Sequence, residues 1–199
     1  EWVRVEVSRN GKIYSQEYKR GKPQHKVKVD GASKKSGTKV LFAPDPEIFK
    51  EIEFNRKKIL APLRQQAYLT KCVRIELEDA REETPFFHAF YFEGGLKAFL
   101  DYLIGVRKSL QTNYFYAHKE TENVDVEVAF TYTDDVEGEE MSFANNIYTP
   151  DGGMHLTGFR SALTRTLNDY AKNESAIKDA KDGLTGDDVR EGLVAAISV

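Results

Sequence analysis

The run SFANNIYTPDGGMHLTGFRSALTRTLNDYAKN occupies residues 142–173, and LTGDDVREGLVAAISV occupies residues 184–199. Together they read as a turn, a long amphipathic helix, a polar connection, a capped short helix and a buried strand. Asp151-Gly152-Gly153 turns the chain into the helix, expected from about His155 to Lys172. At about 100° per residue, Phe159, Leu163, Thr166 and Tyr170 share one side, flanked by Ala162 and Leu167, and that stripe is expected to pack on a sheet. Arg160 and Arg165 stand on opposite shoulders, with Thr164 and Asn168 between them on the outer face. Residues 173–184 are polar and expected to connect rather than pack. Thr185 then opens a Thr-x-x-Asp helix start with Asp188 at its third position, and Asp187 and Asp188 suit the positive end of the helix dipole. VAAISV closes as an apolar strand.

Upstream, the pattern alternates strands and helices. VRVEVSR (residues 3–9) places Val3, Val5 and Val7 on one face, and Asn10-Gly11 is a two-residue hairpin signal because both positions tolerate φ > 0. KIYSQEY is the partner strand, ended by Gly21 and Pro23. A Lys-rich stretch leads through Ser36-Gly37-Thr38 into the strand KVLFAP. Residues 47–69 carry helical spacing through Phe49, Ile52, Ile59, Leu60, Leu63 and Ala67, with a break expected near Ala61 because Pro62 lacks an N–H. CVRIELED, FFHAF, YFYAH, VDVEVAFTYT and MSFANNI are further strands, and LKAFLDYLIGV is a helix with Leu96, Phe99, Leu100 and Leu103 on one stripe.

Composition narrows the function. With 199 residues, 40% hydrophobic and 31% charged, the chain fits one large domain or two small ones. A net charge of −3 does not advertise nucleic-acid binding, so any DNA contact needs a local basic patch. No apolar run is long enough for a bilayer, and no secretory signal is present, so no membrane partner is expected. One cysteine, Cys72, gives no intramolecular disulfide and fits a reducing, cytoplasmic setting. It is expected to be a buried structural thiol rather than a nucleophile. His25, His88, His118 and His155 lack ligand spacing, so no metal site is expected, and His155 reads as structural or capping. There is no GxxxxGK[ST] and no GxGxxG. Glu93-Gly94-Gly95 reads as a strand-to-helix turn rather than an anion nest. Strand patterns running into both termini predict a fragment of a longer protein.

As a string, SFANNI, DGG, GF, ALTRTLNDYA, TGDDVREGL and, earlier, QQAYLTK closely resemble the B subunits of bacterial type IIA DNA topoisomerases, gyrase or topoisomerase IV. The resemblance covers essentially the whole chain. It departs at Met154, where the family usually has Thr, at Pro62 inside a helix, and at Cys72, where Gly is common and a positive φ would strain the residue. The fold it implies is α+β: residues 1–84 as the C-terminal half of a GHKL ATPase α/β sandwich, and residues 85–199 as a ribosomal S5 domain 2-like transducer truncated at its end. The function it implies is relay, coupling ATP binding and hydrolysis to DNA strand passage and supercoiling or relaxation. Thr38 and Gly37 then lie on the adenine side of an ATP pocket and Arg9 at its mouth, while Arg160 and Arg165 face DNA. The family's general base, its magnesium-binding asparagine, its adenine aspartate and its lid precede residue 1, and its Gln-Thr-Lys lysine follows Val199. No catalytic residue is therefore expected here, and the fragment alone is expected not to hydrolyse ATP. ATP and Mg2+ are cofactors implied for the full-length protein, and duplex DNA, the A subunit and a second B subunit are the implied partners. Two other classes compete: a stand-alone nucleic-acid-binding module of the same fold, and a purely structural scaffold.

Overall fold

Asn10 (φ 53°) and Gly11 (φ 78°) form the turn between β1 (Trp2–Arg9) and β2 (Lys12–Lys19). Both residues are left-handed, as a twist-matched two-residue hairpin requires. A second left-handed pair, Arg20 (φ 47°) and Gly21 (φ 77°), reverses the chain into the short β3 (Lys22–Pro23). β4 (Lys28–Ala32) pairs with β2, and β5 (Gly37–Ala43) pairs antiparallel with β1. The sheet order is β3-β2-β1-β5, with β4 also on β2. These features come from a computed structural model, which describes residues 1–173 and 183–199 as two compact units, Glu1–Asn55 and Arg56–Val199. The polar connection expected at 173–184 lies, for residues 174–182, outside the described residues.

Alternation along β1 gives the first unit two unlike faces. On one, Arg4 contacts Glu6 at 2.8 Å, Glu17 at 3.1 Å and Asp30 at 3.3 Å, and the buried Ser15 hydroxyl donates to Asp30 at 2.5 Å. That Ser15 bond, supported by Lys28 and Arg4, holds the Asp30 carboxyl below its usual range against the cost of burial. On the other face stand Val3, Val5 and Val7, with Val40 opposite Val5 and Phe42 opposite Val3. The helix expected from residue 47 does not begin there. Asp45 is almost fully buried; its side chain accepts the Glu47 N–H at 3.0 Å, and its carbonyl accepts those of Ile48 and Phe49. The segment is thereby locked into a turn after Pro46, and its apolar residues line a cavity of about 520 Å³ with Val3 and Phe42.

In the second unit α1 runs from Arg56 to Leu69 and continues through Pro62. The break expected near Ala61 is absent. Proline removes one backbone bond, but Ala67 and Tyr68 are buried beyond it, and Tyr68 stacks on Phe92 at 3.7 Å. β6 (Ile75–Asp79) and β7 (Phe86–Phe90) form a hairpin, followed by α2 (Leu96–Ile104). The boundary expected at residues 84 and 85 falls in the β6–β7 connection. The compact units divide earlier, because α1 and β6 pack with α2 and β7.

The remaining strands are β8 (Phe115–Glu120), β9 (Asp125–Tyr132), β10 (Glu139–Ala144), β11 (Ile147–Tyr148) and β12 (Leu193–Ser198), in the order β11-β10-β12-β9-β8. MSFANNI, expected as one strand, is two: Asn145 (φ 49°) and Asn146 (φ 63°) make a hairpin turn between β10 and β11. The last strand is the middle one, parallel to β10 and antiparallel to β9. A helix lies over each side of it. Val194 and Ala196 meet Phe99, Leu100 and Leu103 of α2, while Leu193, Ala195 and Ile197 meet Leu156, Phe159 and Leu163 of α3 (Met154–Asn173). Burial on both faces is why LVAAIS shows no polar alternation. The helix α4 (Gly186–Arg190) starts on the expected capping box, Thr185 accepting from Asp188 N–H and Asp188 from Thr185 N–H.

Candidate functional site

Two surfaces carry the residues singled out from the sequence. In the first unit, β1 and β5 pair with Val7 opposite Thr38 and Ser8 opposite Gly37, so the Gly37-Thr38 step lies at the end of the sheet where β1 finishes in Arg9. Strand alternation puts Arg9 on the same face as Val7 and hence as Thr38. All three residues are exposed, and a Cβ added to Gly37 would meet nothing within 4 Å. The structure thus gathers Arg9, Gly37 and Thr38 at one sheet end, where an arginine and a hydroxyl can be offered to a ligand. Among the described residues no group of three or more His, Cys, Asp or Glu side chains is placed to hold a metal ion.

In the second unit α3 presents its arginines differently from one another. Arg160 Nε contacts both carboxylate oxygens of Glu140 on β10, at 3.1 and 2.9 Å, and Nη2 contacts Oε2 at 2.5 Å. The Glu140 side chain is only 11% exposed, the Arg160 side chain 40%. The Glu140 bond raises the already high Arg160 pKa, overcoming partial burial. Arg165 is exposed and has no ion-pair partner among the described residues.

The buried stripe of α3 differs from the expected one. Leu156 and Ala171 are buried and Phe159, Leu163 and Leu167 half-buried, whereas Thr166 is exposed and Tyr170 63% exposed. The expected outer pair, Thr164 and Asn168, is half-buried instead. Asn168 holds the backbone of Leu184, accepting its N–H at 2.7 Å and donating to its carbonyl at 2.9 Å. The short segment before α4 covers that side of the helix, which periodicity on α3 alone does not show.

Sequence reasoning missed the partner of Arg160. Glu139 and Glu140 are adjacent on a strand, so they point to opposite faces. Glu139 takes Arg107 at 2.6 Å on the α2 side, where Arg107 also donates to the carbonyls of Leu103 and Ile104 at the end of α2; Glu140 takes Arg160 on the α3 side. The signal was a charged pair entering a buried strand. Lys71 was missed as well: it donates to Glu127 at 2.6 Å and to the Tyr116 hydroxyl at 3.1 Å. Burial opposes its charge, but these bonds prevail and raise its pKa.

His155 is structural in its contacts, its Nε2 lying 3.2 Å from the Thr149 hydroxyl, which also meets Ser142 Oγ at 2.7 Å. Cys72 has the positive φ that the family pattern implied, 62°, but it is exposed rather than buried, because it sits on the turn leaving α1.

With both surfaces described, the chain can be set beside known proteins. Residues 95–199, more than half of its length, match the family model for DNA gyrase B. The chain belongs to the DNA gyrase B family. The DNA gyrase B protein of Clostridium acetobutylicum is 42% identical over 200 residues, spanning 100% of this chain and 31% of that protein. Its counterpart in Streptococcus pneumoniae serotype 4 is 41% identical over 196 residues, 98% of this chain and 30% of that protein. The chain therefore spans about a third of the length of these gyrase B relatives. A crystal structure of the 43K ATPase domain of Thermus thermophilus gyrase B, in complex with an aminocoumarin, superposes with a TM-score of 0.83 at 37% identity, covering 100% of this chain and 55% of that one. The α+β class expected from the gyrase-type resemblance, the end of a GHKL ATPase domain followed by transducer, agrees with that superposition.

Proposed function

We propose that this chain is the coupling segment of an ATP-dependent type IIA DNA topoisomerase B subunit, with residues 1–84 closing the ATPase domain and residues 85–199 forming the transducer. The observation that carries the reading is the match through the full length of both units to a gyrase B ATPase-domain structure. The first unit supplies part of a nucleotide pocket. The exposed Thr38 hydroxyl and the open backbone at Gly37 suit the adenine end of ATP, and Arg9 suits its mouth. ATP, with Mg2+, supplies the free energy of the cycle when bound in the full-length protein. No ligand set for Mg2+ is assigned to this segment.

The second unit carries strain rather than chemistry. Its central strand is packed on both sides, so α2 and α3 are clamped to one sheet, and a displacement of either helix is passed to the other because packed cores deform little. The face of α3 is the duplex-facing side, through Arg160 and Arg165. The A subunit and a second B subunit complete the machine, which is cytoplasmic; among the described residues no helix is long and apolar enough to cross a membrane. The test is supercoiling of relaxed plasmid by the full-length protein with its A subunit and ATP. The 199-residue chain alone should show no ATP hydrolysis, and DNA-stimulated hydrolysis by it would overturn the reading.

A further inference from the structure

Arg160 and Arg165 are on one helix yet differ in electrostatic state. The two are about 140° apart around α3, and one seven-residue step, about 20° short of two turns, brings Lys172 onto the Arg165 side. Arg165 and Lys172 are exposed there. Arg160 is held side-on by Glu140, which spends Nε and one N–H of Nη2, while Nη1 has no partner among the described residues. Glu140 is nearly buried and Arg160 is partly exposed, so the carboxylate is the fixed member and the guanidinium the movable one.

A phosphate backbone attracts net charge. Affinity for duplex DNA follows the number of cations that replace condensed counterions, with log K falling by roughly 0.9 per phosphate neutralised for each decade of salt. A closed Arg–carboxylate pair is neutral and releases no counterion. A phosphate that approaches Arg160 also meets the Glu140 charge.

We infer that Glu140 is a built-in counter-ion that silences Arg160 toward DNA phosphate, leaving Arg165 and Lys172 as the cations with which α3 holds a duplex. The inference rests on the reading that this face of α3 meets DNA. It makes Glu140 the residue that sets how tightly the duplex is held. A segment that must be captured and then passed on is served by restrained affinity.

The test is duplex binding by the full-length protein carrying this segment, measured as Kd against salt for wild type, Glu140→Gln, Arg160→Ala, Arg165→Ala and the Glu140→Gln/Arg160→Ala double variant. Glutamine keeps the size and one acceptor of Glu140 and removes its charge. Circular dichroism and thermal melting verify that each variant is folded, and Glu140→Asp, which keeps the charge, serves as a second control expected to bind as wild type. Glu140→Gln is expected to steepen the salt slope by roughly 0.9 and to tighten binding by roughly two- to fivefold, the range of an exposed charge interaction. Arg160→Ala is expected to change little in the wild-type background and to abolish the gain in the Glu140→Gln background. Arg165→Ala is expected to lower the slope by about 1. If Arg160→Ala costs as much in the wild-type background as in the Glu140→Gln background, or if Glu140→Gln changes nothing while Arg165→Ala does, the counter-ion role is wrong and the DNA-facing helix stands. If no variant alters binding, both fall.

Discussion

Replacing Gly192 by alanine separates backbone torsion from steric exclusion at the point where the chain enters the central strand. Gly192 has φ +69°, and a Cβ there would lie 2.6 Å from the Thr133 carbonyl oxygen and 3.1 Å from that of Asp135. Both atoms are backbone and cannot rotate away. Gly105, at the end of α2 in the same unit, has a similar φ of +58°, but its Cβ would meet nothing nearer than 3.9 Å. The two positions thus share the left-handed penalty of about 1–2 kcal/mol and differ in the collision. Overpacking against fixed atoms adds roughly 1–3 kcal/mol, so Gly192→Ala should cost about 2–5 kcal/mol and Gly105→Ala about 1–2. The Gly192 carbonyl also accepts the Thr133 N–H at 2.8 Å and its hydroxyl at 3.3 Å, so the strain falls on a buried polar group. Amide hydrogen exchange across residues 193–197 reads the result as a loss of protection, at about one decade per 1.4 kcal/mol. Gly192→Ala should lower protection by roughly 30- to 3,000-fold and Gly105→Ala by roughly 5- to 30-fold. Asparagine tolerates the left-handed region, so Gly105→Asn should be milder than Gly105→Ala, whereas Gly192→Asn keeps the collision. Equal losses at the two positions would refute the close approach of the strand to the loop before it.

Acid should weaken the β6–β7 hairpin through Asp79, whose carboxyl is lowered to about 2, first by its hydrogen bond from the Arg81 side chain. A depressed carboxylate stabilises above its unfolded pKa of about 4 and loses that contribution as pH falls toward 2. Asp79→Asn should therefore flatten the acid limb of a stability profile between those pH values, and an unchanged limb would count against the Arg81 contact. Thr185→Ala removes both halves of the capping box and should cost about 1 kcal/mol in thermal or urea unfolding; Thr185→Ser should restore most of it. In the full-length protein, Thr38→Ala should weaken ATP binding by roughly 2- to 13-fold, the worth of one hydrogen bond of about 0.5–1.5 kcal/mol, read by nucleotide titration. An unchanged Kd would remove Thr38 from the pocket.

Local rules were legible where a residue's own chemistry dictates the backbone. Asn10-Gly11 had to turn, Thr185-x-x-Asp188 had to cap, and VAAISV had to be a strand, because torsion, capping and unbroken apolarity act over a few residues. The helix expected from residue 47 failed for an equally local reason that periodicity does not register: the Asp45 side chain and carbonyl compete for the N–H groups that a helix would use. The candidate surfaces were legible as residue types and not as electrostatic states.

By itself the chain of residues determined the alternation of strands and helices, the family, and which cations stand on α3. Only the tertiary structure decided that the last strand lies in the middle of its sheet, that Asn168 is covered by Leu184, and that Arg160 is neutralised while Arg165 is free of such a partner among the described residues. The physical reason is distance along the chain. Torsion and capping are settled between neighbours, whereas burial and charge pairing are settled by atoms that folding brings together, as with Glu140 and Arg160, which are 20 residues apart in sequence.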